Sequence, residues 1–443
     1  MSETPMDRAI LYSPKYEAMP REELEQLQIE RLQSTLNRVY RNVAFYHTAF
    51  DSHAVNLERL KEVRALRELP FTRREDLRKS YPYDMFAVPL HDIVRIHSTS
   101  GVAGAPVIIG YTRNDLRNWT ECTARLLAAV GVTEHDVVQI ALNYSLSAGA
   151  FGFQQGAEQI GATVIPASLT MDVEKQIAIM RDFKATALIA TPSHGINLSA
   201  ALEQMQIHPE RLHLRLGLFG GERLNDPLRR QLEERLRVTT IDTYGLTEIM
   251  GPGTAGECHI RDGFHVNEDH FLVEVIDPQT GEPVPTGEEG ELVLTTITRE
   301  GFPLIRYRTG DVTKLIPEPC PCGRTFVRMA RIMGRTDDLI LFRGVAFFPS
   351  QIEEILSGVE GTSPYYQIIL DEQGSIDTIE VRAEVSDKIP FLDEVKAIEA
   401  LRVQIATRIR TALDIEAKVT FVEPRSLRQL TAGKDRIVDK RPR

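Results

Sequence analysis

Val137-Val-Gln-Ile-Ala-Leu142 is followed by three more short apolar runs, Thr163-Val-Ile-Pro166, Ala187-Leu-Ile-Ala190 and Leu216-Gly-Leu-Phe219. The segments between these runs are long enough for crossover helices. Alternation of this kind is typical of a parallel sheet that is covered by helices. The pattern therefore predicts an α/β domain that extends from about residue 90 to residue 300.

A second kind of β structure is predicted near the end of this region. Glu291-Leu-Val-Leu-Thr295 alternates apolar and polar residues and follows the turn-rich Asp277-Pro-Gln-Thr-Gly281. A strand with one apolar face, close to a tight turn, favours an antiparallel arrangement. We expect an antiparallel β subdomain here, within a large N-terminal domain of residues 1–335.

A small C-terminal domain is predicted over residues 336–443, after a boundary near residues 334–338. It has its own pattern: a strand over residues 379–385, a helical stripe over residues 398–409 and a last strand near residues 419–422. These elements predict an α+β domain. Near the other end of the chain, residues 20–40 have the spacing of an amphipathic helix that packs on the core or forms a dimer.

The overall composition excludes several classes of protein. The chain has 443 residues and a net charge of −11, which disfavours nucleic acid as a partner. No apolar run approaches the length of about 18 residues that a membrane span requires. Four cysteines do not suggest a disulfide scaffold, and the start Met1-Ser-Glu-Thr-Pro5 does not read as a signal peptide. We expect a cytoplasmic protein.

The most informative motif is Asp242-Thr-Tyr-Gly-Leu-Thr-Glu-Ile-Met-Gly251. The ring of Tyr244 can cover a flat ligand such as adenine, and Gly245 lets the backbone approach it. The hydroxyl of Thr247 can bond a phosphate oxygen, and the carboxylate of Glu248 can hold magnesium, which prefers oxygen ligands. The alternative is an ordinary turn between a strand and a loop.

With Gly251-Pro252-Gly253 following, this stretch resembles the signature of the adenylate-forming ligases, and among them the phenylacetate–coenzyme A ligase family. The resemblance extends from about residue 7 to residue 439. It implies that Mg·ATP activates an aromatic acid as an acyl adenylate, which a thiol, coenzyme A, then takes up. It also implies a homodimer, and a mobile small domain that rotates about Asp337 between the two half-reactions.

A candidate phosphate loop lies at residues 97–106. Its small residues suit a loop whose backbone N–H groups face phosphate oxygens. Where the family has two threonines and a lysine, this chain has Val102, Ala103 and Ala105. Three readings stay open: weaker binding of ATP, binding of a ready-made adenylate or another nucleotide, or loss of ATP chemistry. The remaining candidate phosphate ligands are Ser98, Thr99, Ser100, Gly101 and Gly104.

The resemblance also assigns the other site residues. Asp311, in Tyr307-Arg-Thr-Gly-Asp311, would accept the ribose hydroxyls, and Gly344 would lie near the pantetheine of coenzyme A. The catalytic set would be Glu248, Arg335 and Lys434, with Lys434 stabilising the charge of the adenylation transition state. The remaining nucleotide contacts would be Gly220, Gly221, Glu222, Asp242, Thr243, Tyr244 and Gly245.

The pocket for the aromatic acid is predicted from the family alone. His194 has two readings, because it could contact the substrate or simply be a satisfied histidine at a helix start. The candidate pocket residues are Tyr144, Ala148, Phe153, Ser193, His194, Phe219, Gly220, Tyr244 and Gly245.

A metal site is predicted from the cysteines. Cys320-Pro-Cys322 is a short thiolate pair, and Cys258 lies upstream in the chain. Three sulfurs and one imidazole suit tetrahedral structural zinc. His265 is the preferred fourth ligand, with His259 and His270 as rivals, and free thiols are the alternative reading.

Two other functions remain open. The altered phosphate loop is compatible with an enzyme that passes its acyl group to an amine, a carrier protein or another nucleophile. A protein of another class, a silent homologue that binds an aryl ligand or nucleotide, is disfavoured by the presence of Glu248, Asp311, Arg335 and Lys434.

Overall fold

The computed structural model describes residues 11–99, 106–343, 345–373, 376–385, 395–423, 426–427 and 436–441. The chain divides into two compact units. The first contains Met1–Leu224 and Gln231–Ile332, and the second contains Asn225–Arg230 and Met333–Arg443. The main division follows Ile332, whereas the sequence predicts one after Arg335.

The helices lie along the whole chain. They are α1 (Pro14–Glu17), α2 (Arg21–Asn42), α3 (Ala44–Ser52), α4 (Arg74–Lys79), α5 (Arg113–Ala129), α6 (Gly149–Ile160), α7 (Val173–Asp182), α8 (Pro192–Gln204), α9 (Asp226–Leu236), α10 (Pro349–Ser357) and α11 (Val395–Leu413). Among the described residues, no helix combines the length and the apolar character needed to cross a membrane.

The strands of the first unit are β1 (Arg95–Ser98), β2 (Ile108–Tyr111), β3 (Val137–Ala141), β4 (Thr163–Ile165), β5 (Ala187–Ala190), β6 (Leu216–Gly220), β7 (Thr239–Tyr244), β8 (Ala255–Gly256), β9 (Phe264–Val266), β10 (Phe271–Ile276), β11 (Gly290–Thr296), β12 (Tyr307–Thr313), β13 (Leu315–Ile316) and β14 (Arg328–Met329). The strands of the second unit are β15 (Gly334–Arg335), β16 (Ile340–Phe342), β17 (Val345–Phe347), β18 (Thr362–Gln373), β19 (Ile376–Val385), β20 (Lys418–Val422) and β21 (Ile437–Asp439).

A nine-stranded sheet organises the first unit, in the order β13-β14-β9-β8-β7-β6-β5-β3-β4. The five strands from β4 to β7 pair in parallel, as the apolar runs predict. The pairs of β7 with β8 and of β8 with β9 are antiparallel. The α/β fold class is therefore confirmed, and β7 is the strand at which the parallel part of the sheet ends.

Three further strands of the first unit, β10, β11 and β12, pair in an antiparallel manner. They form the predicted β subdomain and supply the strand that carries Asp311. Helix α2 buries its apolar stripe in the first unit, where Leu32, Leu36 and Val39 belong to the main hydrophobic cluster. Burial of these side chains at roughly 25 cal/mol per Å² stabilises the fold and makes α2 a packing helix.

The second unit has its own core. Its four-stranded sheet has the order β20-β19-β18-β21, and β18 and β19 form a long antiparallel pair. Ile352 of α10 and Ile405 of α11 are fully buried with Val381 of β19 in one cluster. This is the α+β arrangement that the alternation over residues 379–385 and the helical stripe over residues 398–409 predict.

Candidate active site

The carboxyl ends of β6 and β7 bring two glycine-containing motifs together. The strands pair in parallel with Phe219 opposite Asp242 and Gly220 opposite Thr243. The hydroxyl of Thr243 donates to the carbonyl of Phe219 at 3.0 Å. A Cβ atom at Gly220 would lie 2.3 Å from Oγ1 of Thr243, so a side chain cannot be added at Gly220 without a clash.

The turn after β7 places a glycine against its own chain. A Cβ atom at Gly245 would lie 2.0 Å from the carbonyl oxygen of Gly251. The amide of Gly251 donates to the carbonyl of Leu246 at 2.8 Å and closes the turn. Glycine is therefore required at position 245 because the backbone of Gly251 passes too close for a side chain. The sequence predicts a different reason, the close approach of a ligand.

Tyr244 and Asp311 contact each other directly. The hydroxyl of Tyr244 donates to Oδ2 of Asp311 at 2.7 Å, and both residues are buried. The Tyr244 ring stacks on Phe264 with the ring centroids 6.4 Å apart and an interplanar angle of 18°. The amide of Asp311 donates to Oγ1 of Thr309. The structure thus joins the residue predicted to cover adenine with the carboxylate predicted to bind ribose.

Glu248 is buried in the turn that follows Tyr244, with 8% of its surface exposed. Across the ranges that the structure describes, its carboxylate makes no hydrogen bond or ion pair. A carboxylate without a protein partner has its oxygens available as ligands for a cation. Thr247 is half-buried in the same turn. The donor chemistry at Glu248 therefore fits a hard cation such as magnesium.

Glu222, predicted at the nucleotide, and Ser193, predicted at the substrate, bond to each other. The Glu222 carboxylate accepts from the amide of Ser193 at 3.0 Å and from its hydroxyl at 2.8 Å. Ser193 lies in the first turn of α8. A carboxylate is stabilised at a helix N-terminus by the unpaired amides and the helix dipole, so Glu222 caps α8.

His194 lies beside Ser193 but its ring is directed into the protein. Nε2 of His194 donates to Oε1 of Gln176 at 2.9 Å, because the amide nitrogen of Gln176 is used for the carbonyls of Ser168 and Met171. Burial lowers the pKa of His194 to about 4. These contacts favour the reading of a satisfied histidine at a helix start over that of a substrate contact.

The other predicted pocket residues differ in their surroundings. Ala148, Phe153 and Phe219 are buried in hydrophobic packing. Tyr144, in contrast, contacts Phe151 edge-on at a centroid distance of 5.4 Å. Phe151 also contacts His97 at 5.4 Å. His97 is predicted only as the start of the phosphate loop, and Phe151 is not among the predicted pocket residues. The spacing of aromatic residues around Gly152 is the sequence signal that points to it.

Four buried side chains that could hold a metal ion meet elsewhere in the first unit. Their ligand atoms all lie within 4.8 Å of one another, and they are Cys258, His265, Cys320 and Cys322. Sγ of Cys258 lies 3.8 Å from Sγ of Cys320, and Sγ of Cys322 lies 3.4 Å from Nε2 of His265. Hydrogen bonds from Cys258 and from His265 lower the pKa of the Cys322 thiol well below its usual range.

The two rival histidines lie outside this cluster of four donors. Nδ1 of His270 bonds to the hydroxyl of Thr298 at 2.8 Å, and its Nε2 lies 3.3 Å from Asp269. His259 is not a member of the group. Cys122, the remaining cysteine of the chain, is fully buried in the main hydrophobic cluster. The structure therefore places His265, the preferred candidate, with the three thiols.

Several predicted positions lie at the margins of the described chain. Ser98 and Thr99 end the hairpin of β1 and β2, where the amide of Thr99 donates to the carbonyl of Val107. Arg335 lies on β15, half-buried, and the backbone of Asp337 lies in a short 3₁₀ helix. The predicted site residues outside the described ranges are Ser100, Gly101, Gly104, Gly344 and Lys434.

Comparison with known families agrees with this arrangement. Residues 12–298 match the AMP-binding enzyme family, and residues 344–441 match the AMP-binding enzyme C-terminal domain. The chain is 40% identical to a phenylacetate–coenzyme A ligase of Thermus thermophilus, over 97% of this chain and 99% of that one. A phenylacetate–coenzyme A ligase of Escherichia coli is also 40% identical, over 95% of each chain.

Solved structures give the same result for the fold. The crystal structure of a 2-hydroxyisobutyryl-CoA ligase in the postadenylation state, in complex with R3-HIB-AMP, superposes with a TM-score of 0.89. The two chains are 27% identical, and the match covers 99% of this chain and 94% of the other. Fold, domain content and sequence therefore agree over nearly the whole length.

Proposed function

This chain belongs to the phenylacetate–coenzyme A ligase family of adenylate-forming enzymes and is an AMP-forming acid–coenzyme A ligase, and we propose that its acid substrate is aromatic. The acid carboxylate attacks the α-phosphate of ATP, pyrophosphate leaves and an acyl adenylate forms. The thiol of coenzyme A then displaces AMP from the acyl group. The relatives that support an aromatic acid are named for phenylacetate.

The observation that supports the nucleotide site of this reaction is the contact of Tyr244 with Asp311. It places an aromatic ring beside a carboxylate at the carboxyl end of β7, where a parallel sheet ends and ligands of such sheets bind. In the proposed site, the Asp311 carboxylate accepts the ribose hydroxyls and the ring of Tyr244 lies against adenine.

Three further residues would stabilise the charges of the reacting groups. The unpaired Glu248 carboxylate would hold magnesium, which neutralises the triphosphate when it is bound. Arg335 would contact ribose and phosphate, and Lys434 would lie between the acid and the α-phosphate. A cation at that point stabilises the charge that develops in the transition state. The small domain that carries Lys434 would turn about Asp337 to admit coenzyme A.

The cluster of three thiols and one imidazole would hold structural zinc. Its donor set and the distances within 4.8 Å fit tetrahedral coordination. We further propose a homodimer, to be tested by sedimentation, and a cytoplasmic location. All four cysteines are free in the structure, as a reducing compartment would keep them.

Carboxylate-dependent exchange of pyrophosphate into ATP tests the proposal. The acids are benzoic, hydroxybenzoic, aminobenzoic and arylacetic acids, and Lys434→Ala is compared with Lys440→Ala, a matched change at an exposed lysine. We expect exchange with at least one acid, a loss of about 100-fold or more in Lys434→Ala, and normal exchange in Lys440→Ala. With coenzyme A added, mass spectrometry should detect the thioester.

Three results would contradict parts of the proposal. Absence of exchange with every acid would favour a silent homologue or a nucleotide other than ATP, as Val102, Ala103 and Ala105 in the phosphate loop allow. Exchange without thioester formation would indicate an acceptor other than coenzyme A. Equal exchange in the wild type and Lys434→Ala would remove Lys434 from the catalytic set.

A further inference from the structure

Three side chains that contact the ring of Phe151 each carry a buried polar atom without a hydrogen-bond partner. Within the part of the chain that the structure describes, these atoms are Nη1 of Arg95, Nε2 of His97 and the hydroxyl of Tyr144. The ring centroids of His97 and Tyr144 each lie 5.4 Å from that of Phe151. The guanidinium carbon of Arg95 lies 5.6 Å from the same centroid. In native proteins a buried polar group that has no protein partner bonds to ordered water or to a ligand, so a ligand group can be asked to fit these three atoms.

The backbone explains how these side chains come together. Arg95 and His97 are two residues apart on β1, so they project from the same face of the strand. The carbonyl of Leu146 accepts from Nδ1 of His97 at 3.0 Å and from the amide of Ser98 at 2.9 Å. This pairing holds the segment that carries Tyr144 against β1.

The donor and acceptor roles of the three atoms follow from their partners. Because a carbonyl can only accept, Nδ1 of His97 carries the proton and Nε2 of the neutral ring is an acceptor. Burial lowers the pKa of His97, and the positive charges of Arg95 and Arg299 act in the same direction, so the ring is neutral near pH 7. Nη1 of Arg95 can only donate, whereas the Tyr144 hydroxyl can do both.

A ligand group that satisfies all three atoms must both donate and accept. A carboxylate accepts hydrogen bonds from Arg95 and Tyr144, but it has no hydrogen to donate to Nε2 of His97, which is also an acceptor. An aromatic amine donates to His97, but its nitrogen is a poor acceptor for Arg95. An unsubstituted ring satisfies none of them. A hydroxyl donates one hydrogen bond and accepts two, so it matches the whole set.

We propose that Arg95, His97 and Tyr144 recognise a hydroxyl group on the aromatic ring of the acid substrate, which makes the substrate a hydroxyaryl acid. The hydroxyl donates to Nε2 of His97 and accepts from Nη1 of Arg95 and from the hydroxyl of Tyr144. Phe151 supplies the apolar surface beside the ring. The three polar residues determine specificity and take no part in proton transfer. This inference rests on the proposed function, because it refines the acid of the same reaction.

Matched pairs of acids test the inference on the intact enzyme. Pyrophosphate exchange is measured with benzoate, phenylacetate, their hydroxy isomers and their 4-amino analogues. We expect at least one hydroxy acid to exceed its parent by about ten-fold or more in kcat/KM, because a site built for a hydroxyl leaves its polar groups unpaired when the hydroxyl is missing. The amino analogue should fall between the two.

The variant Tyr144→Phe removes only one oxygen and keeps the edge-on contact with Phe151. It should lower the ratio of hydroxy acid to parent acid by about three- to ten-fold, the effect of one hydrogen bond. Tyr83→Phe is the matched control, since Tyr83 is 53% exposed, and it should leave the ratio unchanged. His97→Phe, which keeps an aromatic ring but removes the acceptor, should lower the same ratio.

Each other outcome overturns the inference in a recognisable way. If parent acids are used as well as hydroxy acids, water satisfies the three atoms and the proposed function stands without this refinement. If hydroxy acids are preferred but neither Tyr144→Phe nor His97→Phe changes the ratio, the hydroxyl is recognised elsewhere. If no acid supports exchange, the proposed function and the inference fail together.

Discussion

The hydroxyl of Tyr244 lies 2.7 Å from Oδ2 of Asp311, although the two residues are 67 positions apart in the chain. One belongs to the end of the parallel sheet and the other to the antiparallel subdomain. Their contact unites these two parts of the first unit at the site proposed for the nucleoside. It also holds the carboxylate in one orientation before any ligand arrives, which reduces the cost of ordering it on binding.

Removal of this hydrogen bond should be measurable as a loss of stability. Tyr244→Phe leaves the buried Asp311 carboxylate without the phenol, and bonds to charged groups contribute about 1.5–3 kcal/mol. We expect the free energy of unfolding in urea to fall by that amount, with a raised KM for ATP. Tyr83→Phe, at an exposed ring, should change neither quantity. Equal stability of both variants would show that the contact contributes nothing.

Metal content provides a test that needs no activity. The purified protein should contain one zinc ion per chain by mass spectrometry, and His265→Ala should lose it together with several degrees of thermal stability. His259→Ala should keep the metal, because His259 lies outside the cluster of four donors. Metal retained in His265→Ala but lost in His259→Ala would reverse the assignment of the fourth ligand.

The turn after β7 should tolerate no side chain at Gly245. A Cβ atom there would lie 2.0 Å from a backbone oxygen, so Gly245→Ala should cost about 3 kcal/mol or more. The matched change Gly149→Ala meets Leu142 at 3.6 Å, an ordinary contact, and should be tolerated within about 1 kcal/mol. Comparable urea midpoints for the two variants would show that the turn can rearrange.

The stability of the protein should depend on pH through His194. Its pKa falls from an ordinary value of 6.5 to about 4 in the folded state. Below the ordinary pKa the unfolded chain binds a proton that the folded protein does not. The free energy of unfolding therefore decreases as the pH is lowered. Between about pH 7.5 and about pH 5 this contribution is about 2 kcal/mol.

The corresponding measurement is urea unfolding at both pH values. His194→Gln should lose about 2 kcal/mol less than the wild type over this interval. The control His135→Gln changes an exposed histidine, whose side chain is 87% accessible, and should follow the wild type. A wild-type slope retained in His194→Gln would place the pH-sensitive group elsewhere.

Much of the fold and part of the site follow from the sequence. The runs at residues 137–142 and 187–190 are almost wholly apolar, because parallel strands are buried on both faces, and such runs can be recognised without knowing what they contact. The cysteine spacing and a nearby histidine were sufficient in the same way to predict the cluster that contains His265. In both cases the residue types and their spacing in the sequence are sufficient for the prediction.

Contacts between distant side chains could not be predicted in this way. His194 was equally compatible with a substrate contact until the structure placed Gln176, from α7, at 2.9 Å. The bond from Ser193 to Glu222 joins α8 to the turn after β6, and neither segment specifies the other. His97 became informative only when the hydrogen bonds of its two nitrogens could be counted.

The order of the four candidate metal ligands along the chain determines how early in synthesis on the ribosome they can meet. Cys258 and His265 emerge long before Cys320 and Cys322, which follow β13. The parallel strands up to β7 have then already been translated, so the sheet can begin to form before any ion is fully coordinated. All four donors are therefore available only late in the synthesis of the first unit, just before Met333–Arg443 of the second unit is made.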